Sequence, residues 1–217
     1  MARRVGAEKF NTMAKKGVFI TFEGSEGCGK STQSKLLVAY LTQNGHRVVF
    51  VREPGATLVG EQIRALLLNP QHTGMSRVCE MLLYMAARAQ ITEEVILPAL
   101  AQGKIVISDR YLDSTLAYQG YGLGMDISAI KAVGRLVTQK LSPDLTIFLD
   151  LPVKAGLRHR RTSRDRIEQR PLAYHIKVRK GYLALARREP ERIKVVRVQS
   201  QLQATQDRIR TLVEQYV

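Results

Sequence analysis

Five short apolar runs punctuate the chain: Val18–Phe22, Val48–Val51, Ile105–Ser108, Leu145–Leu149 and Ile193–Val198. They are rich in Val and Ile and mostly lack polar alternation, the pattern of strands buried on both faces. Between them the apolar spacing changes to that of helices. Ser31–Gln43 sets Leu36, Leu37, Tyr40 and Leu41 on one side, and Gly45 supplies a stop. Further helices are predicted over Val59–Leu68, Arg77–Ala101 with a bend at Pro98, Ile127–Lys140, Val153–Arg161, Leu172–Arg188 and Gln203–Tyr216. Strands that alternate with helices imply right-handed crossovers, so the predicted fold is α/β: a five-stranded parallel sheet with helices on both faces. Ligands of such sheets bind beyond the carboxyl ends of the strands. The residues to inspect therefore follow Phe22, Val51, Ser108 and Leu149.

Immediately after the first strand the sequence reads Glu23-Gly24-Ser25-Glu26-Gly27-Cys28-Gly29-Lys30-Ser31-Thr32. This is the P-loop pattern GxxxxGK[ST], with a strand before it and an amphipathic helix after it. Glycines let successive backbone N–H groups turn inward around phosphate oxygens, and the new helix points its positive end at the anion. In such a loop Lys30 reaches the β- and γ-phosphates, and the Ser31 hydroxyl is a Mg²⁺ ligand. The fold is therefore expected to be that of the P-loop NTPases, with Gly24 to Thr32 binding ATP. A GTPase would carry an Asn-Lys-x-Asp base-reading motif, and the sequence has none.

Composition narrows the class. The 217 residues suit one domain, read as 17–217, with residues 1–16 as an extension or tag. No apolar run approaches the length of a membrane span, and the basic N-terminus leads into no signal-like core. Two cysteines, Cys28 and Cys79, make no disulfide framework and read as reduced thiols, which points to the cytoplasm. The net charge of +15 suits a polyanionic partner, either nucleotide phosphates or nucleic acid. A nucleic-acid-binding P-loop protein would show a basic stripe with interleaved aromatics. Here the densest basic cluster falls after the fourth strand and the rest is spread along helices, so no nucleic-acid or membrane partner is expected.

The other strand ends carry further motifs. The second strand ends in Arg52-Glu53-Pro54-Gly55-Ala56-Thr57, and the third in Asp109-Arg110-Tyr111, followed by Ser114-Thr115-Leu116-Ala117-Tyr118-Gln119. A helix upstream holds Tyr84 and Arg88 one turn apart, hence on one face. An Asp at the end of a buried strand beside the P-loop suits Mg²⁺, held directly or through one of its ligands. Two arginines at the same sheet end can clamp a phosphate in forked geometry. Together these segments resemble the thymidylate kinase family, over about Gly17 to Val217. The resemblance implies transfer of the ATP γ-phosphoryl group to dTMP, with Mg²⁺ as cofactor and a homodimeric assembly. It implies that Arg52 and Arg110 hold the monophosphate, and that Tyr84, Arg88, Ser114, Thr115, Tyr118 and Gln119 surround thymine. Glu26 then lies near the sugar 3′-hydroxyl. The alternatives are a kinase for another nucleoside monophosphate or for a deoxynucleoside; Asp109-Arg110-Tyr111 favours a phosphorylated acceptor.

After the fourth strand, six arginines lie between Arg158 and Arg170. The family carries a lid here, and Asp165-Arg166-Ile167-Glu168 matches its end, giving a lid of about residues 158–170. Phosphoryl transfer needs positive charge on the transferring group and exclusion of water. This P-loop contains no arginine, so the resemblance is to the bacterial-type arrangement, with Arg160, Arg161 or Arg164 supplying the catalytic positive charge.

Overall fold

A computed structural model describes residues 17–158 and 165–217. Its strands are β1 (Val18–Glu23), β2 (Val48–Arg52), β3 (Ile105–Asp109), β4 (Leu145–Asp150) and β5 (Ile193–Arg197). They form one all-parallel sheet in the order β2-β3-β1-β4-β5. The central β1, β3 and β4 are buried almost throughout, whereas the edge strands β2 and β5 are only half covered. Strand limits agree with the sequence prediction to within a residue at either end.

Side-chain alternation along β1 sorts the two layers. Ile20 and Phe22 face α1 (Lys30–Gln43) and α9 (Leu202–Val213), joining Leu37, Leu41, Ile209 and Val213 in one core. Phe19 faces the opposite layer and packs on Tyr111, Ile91 and Ile96. The helices there include α3 (Arg77–Ile91), α6 (Ile127–Val137) and α8 (Leu172–Arg188). Thr21 and Glu23 share this second face, so a polar column runs through the apolar layer toward the carboxyl end of the sheet. Thr21 hydrogen-bonds Thr146 of β4 across 2.8 Å.

Three differences from the sequence prediction have physical causes. The predicted helix Arg77–Ala101 is interrupted: α3 ends at Ile91, a π-helical turn spans Thr92–Ile96, and α4 (Leu97–Ala101) follows. Pro98 lies in the first turn of α4. A proline donates no hydrogen bond and its ring crowds the carbonyl four residues earlier, so the irregularity falls before it. The helix predicted over Ile127–Lys140 stops at Val137, because Gln139 and Lys140 take left-handed backbone angles. Residues 112–122 were not predicted as helical. They form α5 (Leu112–Thr115) and a second π-helical stretch, Leu116–Gly122, whose period does not match 3.6. The remaining helices are α2 (Leu58–Leu68), capped by the Thr57 hydroxyl, and α7 (Val153–Arg158).

The polar column closes on a buried ion pair. Arg192 donates to both oxygens of Asp113, at 2.6 and 2.9 Å, and to Thr146 at 2.8 Å. The Asp113 side chain is 5% exposed. Removing one member of such a pair leaves a buried charge without compensation. Arg192→Ala is expected to lower the unfolding free energy by about 3–5 kcal/mol, measured as the shift of the urea midpoint at constant slope. A loss under about 1 kcal/mol would show that water replaces the guanidinium.

Candidate active site

The P-loop owes its path to backbone that only glycine tolerates. Gly27 has φ +71°, and a Cβ there would lie 2.0 Å from the Gly156 carbonyl oxygen. Gly24 has φ +151°, and a Cβ there would lie 2.8 Å from the Leu149 carbonyl and 2.6 Å from the Cys28 sulfur. The loop is thus pressed against the end of β4 and against α7. Lys30 is buried, and its Nζ donates to the Gly24 and Ser25 carbonyls, both at 3.0 Å. The Ser31 hydroxyl donates to Asp109 Oδ2 at 2.6 Å, joining the loop to the end of β3. These two hard oxygen donors beside a P-loop fit Mg²⁺, which takes few protein ligands and otherwise uses phosphate and water.

Next to Asp109, Arg110 adopts φ +78°, a strained angle for a residue with a side chain. Its N–H donates to the Phe22 carbonyl. The twist aims the guanidinium across the sheet end toward the P-loop. Nη2 meets Glu26 Oε1 at 2.7 Å and Tyr118 Oη at 3.1 Å, while Nη1 meets the Gly24 carbonyl and Ser114 Oγ. Burial alone would raise the Glu26 carboxyl; the Arg110 charge, then that of Lys30, outweighs it and holds the group down to about 2. Tyr118 also donates to Glu26, at 2.7 Å.

Beneath this pair lies Glu23, which is fully buried. It accepts from the Tyr111 and Ser114 N–H groups, the Ser114 hydroxyl at 2.6 Å and the Tyr182 hydroxyl at 2.8 Å. Burial, and then the neighbouring Asp113 charge, pushes its carboxyl upward. Ser114 is therefore committed to the scaffold below the site.

All of this opens on a cavity of about 720 Å³. Glu26, Gly27, Gly29, Lys30, Ser31 and Thr32 form one wall. Arg52, Asp109, Arg110, Tyr84, Tyr118 and Gln119 face it, with Ser114 and Thr115 between. Arg52 is half exposed and paired with Glu61 at 2.9 Å. Gly24, Ser25 and Cys28 sit behind the loop and do not line the cavity. Arg88 does not line it either. Its side chain is 2% exposed, with Nε on Glu53 at 2.8 Å, Nη1 on Thr115 Oγ1 at 2.9 Å and Nη2 on the Tyr111 carbonyl at 2.9 Å. The spacing that set Tyr84 and Arg88 on one helix face held no signal that one would reach the cavity and the other stay behind its wall.

Several lining residues were not singled out from sequence. Arg64 of α2 lines the cavity with its Nη1 on the Pro54 carbonyl; burial, then repulsion from Arg52, lowers its pKa. Leu68 and Glu53 line it as well. The signal for Arg64 was available only as a basic residue seven positions past the Arg52 segment's Thr57, on a helix that starts there. Asp165, Ile167 and Glu168, from the end of the predicted lid, close the far side. The predicted catalytic residues Arg160, Arg161 and Arg164 lie outside the described residues.

A profile of the family described as thymidylate kinase matches residues 22–209. The chain is 50% identical over 186 residues to the thymidylate kinase of Syntrophotalea carbinolica, covering 82% of this chain and 86% of the relative. It is 47% identical over 188 residues to that of Geotalea uraniireducens, covering 83% and 88%. It is 42% identical over 215 residues to that of Roseiflexus castenholzii, covering 92% and 94%. The crystal structure of thymidylate kinase from Ehrlichia chaffeensis superposes with a TM-score of 0.77 at 34% identity, covering 91% of this chain and 98% of that one.

Burial pushes the Glu53 carboxyl up to about 7 against the attraction of Arg88, and its Oε1 has no hydrogen-bond partner. Between pH about 4.5 and 7 the folded chain then keeps a proton that the unfolded chain has lost, so stability falls as pH rises through this window. Glu53→Gln is expected to remove that fall, on the order of 3 kcal/mol across the window. Chemical denaturation of both proteins from pH 4.5 to 8 checks it; parallel pH profiles would refute the assignment.

Proposed function

The chain belongs to the thymidylate kinase family, and we propose that its phosphoryl transfer from ATP to dTMP takes place in the cavity between the P-loop and Arg110. The observation that carries this reading is that a triphosphate loop and two acceptor-side arginines, Arg52 and Arg110, open on one cavity. An oxygen of the dTMP phosphate attacks the γ-phosphorus in line. The new P–O bond forms as the bond to the β–γ bridging oxygen breaks, and ADP leaves with that electron pair. Lys30 moves from the Gly24 and Ser25 carbonyls to the β- and γ-phosphates. Loop N–H groups from Gly27 to Thr32 neutralise the same oxygens. Ser31 and Asp109 would hold Mg²⁺, which when bound offsets the charge of the phosphates.

On the acceptor side Arg110 and Arg52 fork the monophosphate, and Arg64 adds a third positive charge to that end. Glu26, ionised and anchored by Tyr118, accepts from the sugar 3′-hydroxyl and keeps Arg110 aimed at the phosphate. Tyr84 stacks on the pyrimidine, while Thr115 and Gln119 face its polar edge. Arg88 acts through Thr115. An arginine among Arg160, Arg161 and Arg164 supplies the remaining positive charge from the lid. Residues 17–217 serve as one catalytic domain, preceded by residues 1–16 as an extension.

The assembly we assign is a homodimer through α2 and α3. Val59 and Leu66 share one stripe of α2, as Val78 and Leu82 do on α3, and each is about half exposed. The setting is the cytoplasm, where ATP and dTMP occur and the unpaired Cys28 and Cys79 stay reduced. Among the described residues no helix is long and apolar enough to cross a membrane.

ATP-coupled assays against dTMP, UMP, dCMP and dGMP test the acceptor; a chain that prefers dGMP would overturn it. Lys30→Ala is expected to lower kcat by about 100-fold or more, and Arg52→Ala to raise the KM for dTMP by roughly tenfold. Near-normal kinetics in either would remove that residue from its role. For the assembly, sedimentation should give a dimer for the native chain and a monomer for the Val78→Glu/Leu82→Glu double variant. A monomeric native chain would refute the interface.

A further inference from the structure

Gln119 can present either end of its amide to the cavity, and a buried neighbour decides which. The residue lines the cavity yet is only 1% exposed. Its Nε2 donates to Glu80 Oε1 at 2.8 Å. Glu80 belongs to the first turn of α3 and is itself 1% exposed. Its second oxygen takes Arg166 Nη1 at 2.6 Å and Arg170 Nη2 at 2.5 Å. Guanidiniums are donors only, so the carboxylate is left to accept from every side. An inverted Gln119 amide would set two acceptors 2.8 Å apart. The nitrogen must therefore face Glu80, which leaves the Gln119 carbonyl oxygen for the cavity.

Thr115 is set in the opposite sense. Arg88 Nη1 donates to its Oγ1 at 2.9 Å, which turns the hydroxyl proton away from Arg88 and makes it available as a donor on the cavity side. Thr115 thus can donate and Gln119 is held to accept, each contacted from behind by a charged residue that does not line the cavity.

We infer that Glu80 is a specificity-determining, positioning residue: by holding Gln119 as an acceptor it selects acceptor bases that carry a ring N–H. This rests on the reading of the cavity as the dTMP site. Thymine and uracil carry a proton on N3 beside the O4 carbonyl, and so match an acceptor next to a donor. Cytosine has the reverse, a bare N3 beside an amino group, and would set its N3 against the Gln119 oxygen, acceptor to acceptor. A polar wall that leaves buried groups unpaired rejects an analogue far more strongly than an apolar one does. Because Arg166 and Arg170 belong to the end of the predicted lid, the same carboxylate also ties that end to the wall that reads the base. Arg166 is pinned further by its Nε on the Leu67 carbonyl.

Glu80→Gln tests this, since a glutamine at position 80 can donate and lets the Gln119 amide turn over. The ratio of kcat/KM for dTMP to that for dCMP is expected to fall roughly 10- to 100-fold, mainly through the two KM values. The charge-conserving swap Glu80→Gln/Gln119→Glu restores an acceptor toward the cavity and should return the ratio to within about threefold of native. A folded Glu80→Gln protein, checked by its melting temperature, that keeps the native ratio overturns the inference. Should the single variant fail to fold, the swap is compared with Gln119→Met. Retention of the ratio in the swap and its loss in Gln119→Met support the inference, and equal ratios overturn it. A native chain that does not phosphorylate dTMP would instead refute the reading of the site itself.

Discussion

Both halves of the cavity depend on the Glu23 carboxylate, held out of water at the end of β1 by two backbone N–H groups and two hydroxyls. Glu23 is the last residue of β1, and the P-loop starts at the next position. Its acceptors fix the turn from Tyr111 to Ser114, which begins immediately after Arg110. The strand that launches the P-loop therefore also sets the segment that follows Arg110. A buried carboxylate is costly unless its lone pairs are filled, and here the partners filling them are the structural elements that the site needs in register. Tyr182 adds α8 to the same group, so the layer behind the lid is tied in as well.

Around this anchor three cations of the described residues, Lys30, Arg110 and Arg52, already have partners within the protein. Lys30 sits on two loop carbonyls, Arg110 on Glu26 and Arg52 on Glu61. Without those partners, the positive charges converging on one cavity would repel one another. With them, an anion bound there would exchange one set of charge-assisted hydrogen bonds for another. The pairs differ in kind. Arg52–Glu61 is exposed and loosely held, which suits an arginine that must move. Arg88–Glu53 is sealed at 2% and 3% exposure, which suits a wall that must not.

The parts legible in the sequence are those whose chemistry imposes a local pattern. Strands buried on both faces are apolar at most positions, and β1, β3 and β4 were readable for that reason. The loop from Gly24 to Thr32 was readable because cradling phosphate constrains glycine, lysine and hydroxyl positions within a few residues. Arg110 could be placed at a sheet end, but its left-handed backbone could not be foreseen, since nothing in Asp109-Arg110-Tyr111 requires it. The π-helical stretch Leu116–Gly122 hid Tyr118 and Gln119 from any 3.6-residue pattern, so only the resemblance brought them forward. Arg64 lay on a helix whose face toward the cavity is set by packing against α3, which periodicity alone does not orient.

Residues that act through another residue leave the faintest trace. Glu80 stands 39 positions from Gln119 and 86 or more from its two arginines, and nothing about a lone glutamate in the first turn of a helix departs from ordinary capping. Its significance comes from a chemical restriction: an acceptor-only group forces its neighbour to donate, and an amide whose nitrogen is held there has its oxygen left to accept elsewhere. Arg88 occupies one lone pair of the Thr115 hydroxyl and leaves its proton free to donate. The hydrogen-bond polarity of the wall is thus written by buried charges whose own bonds are complete, and they act on the substrate without contacting it. Such charges can be held at 1–2% exposure because each is met by an ion pair and further hydrogen bonds inside the fold, and those bonds keep the wall groups from turning.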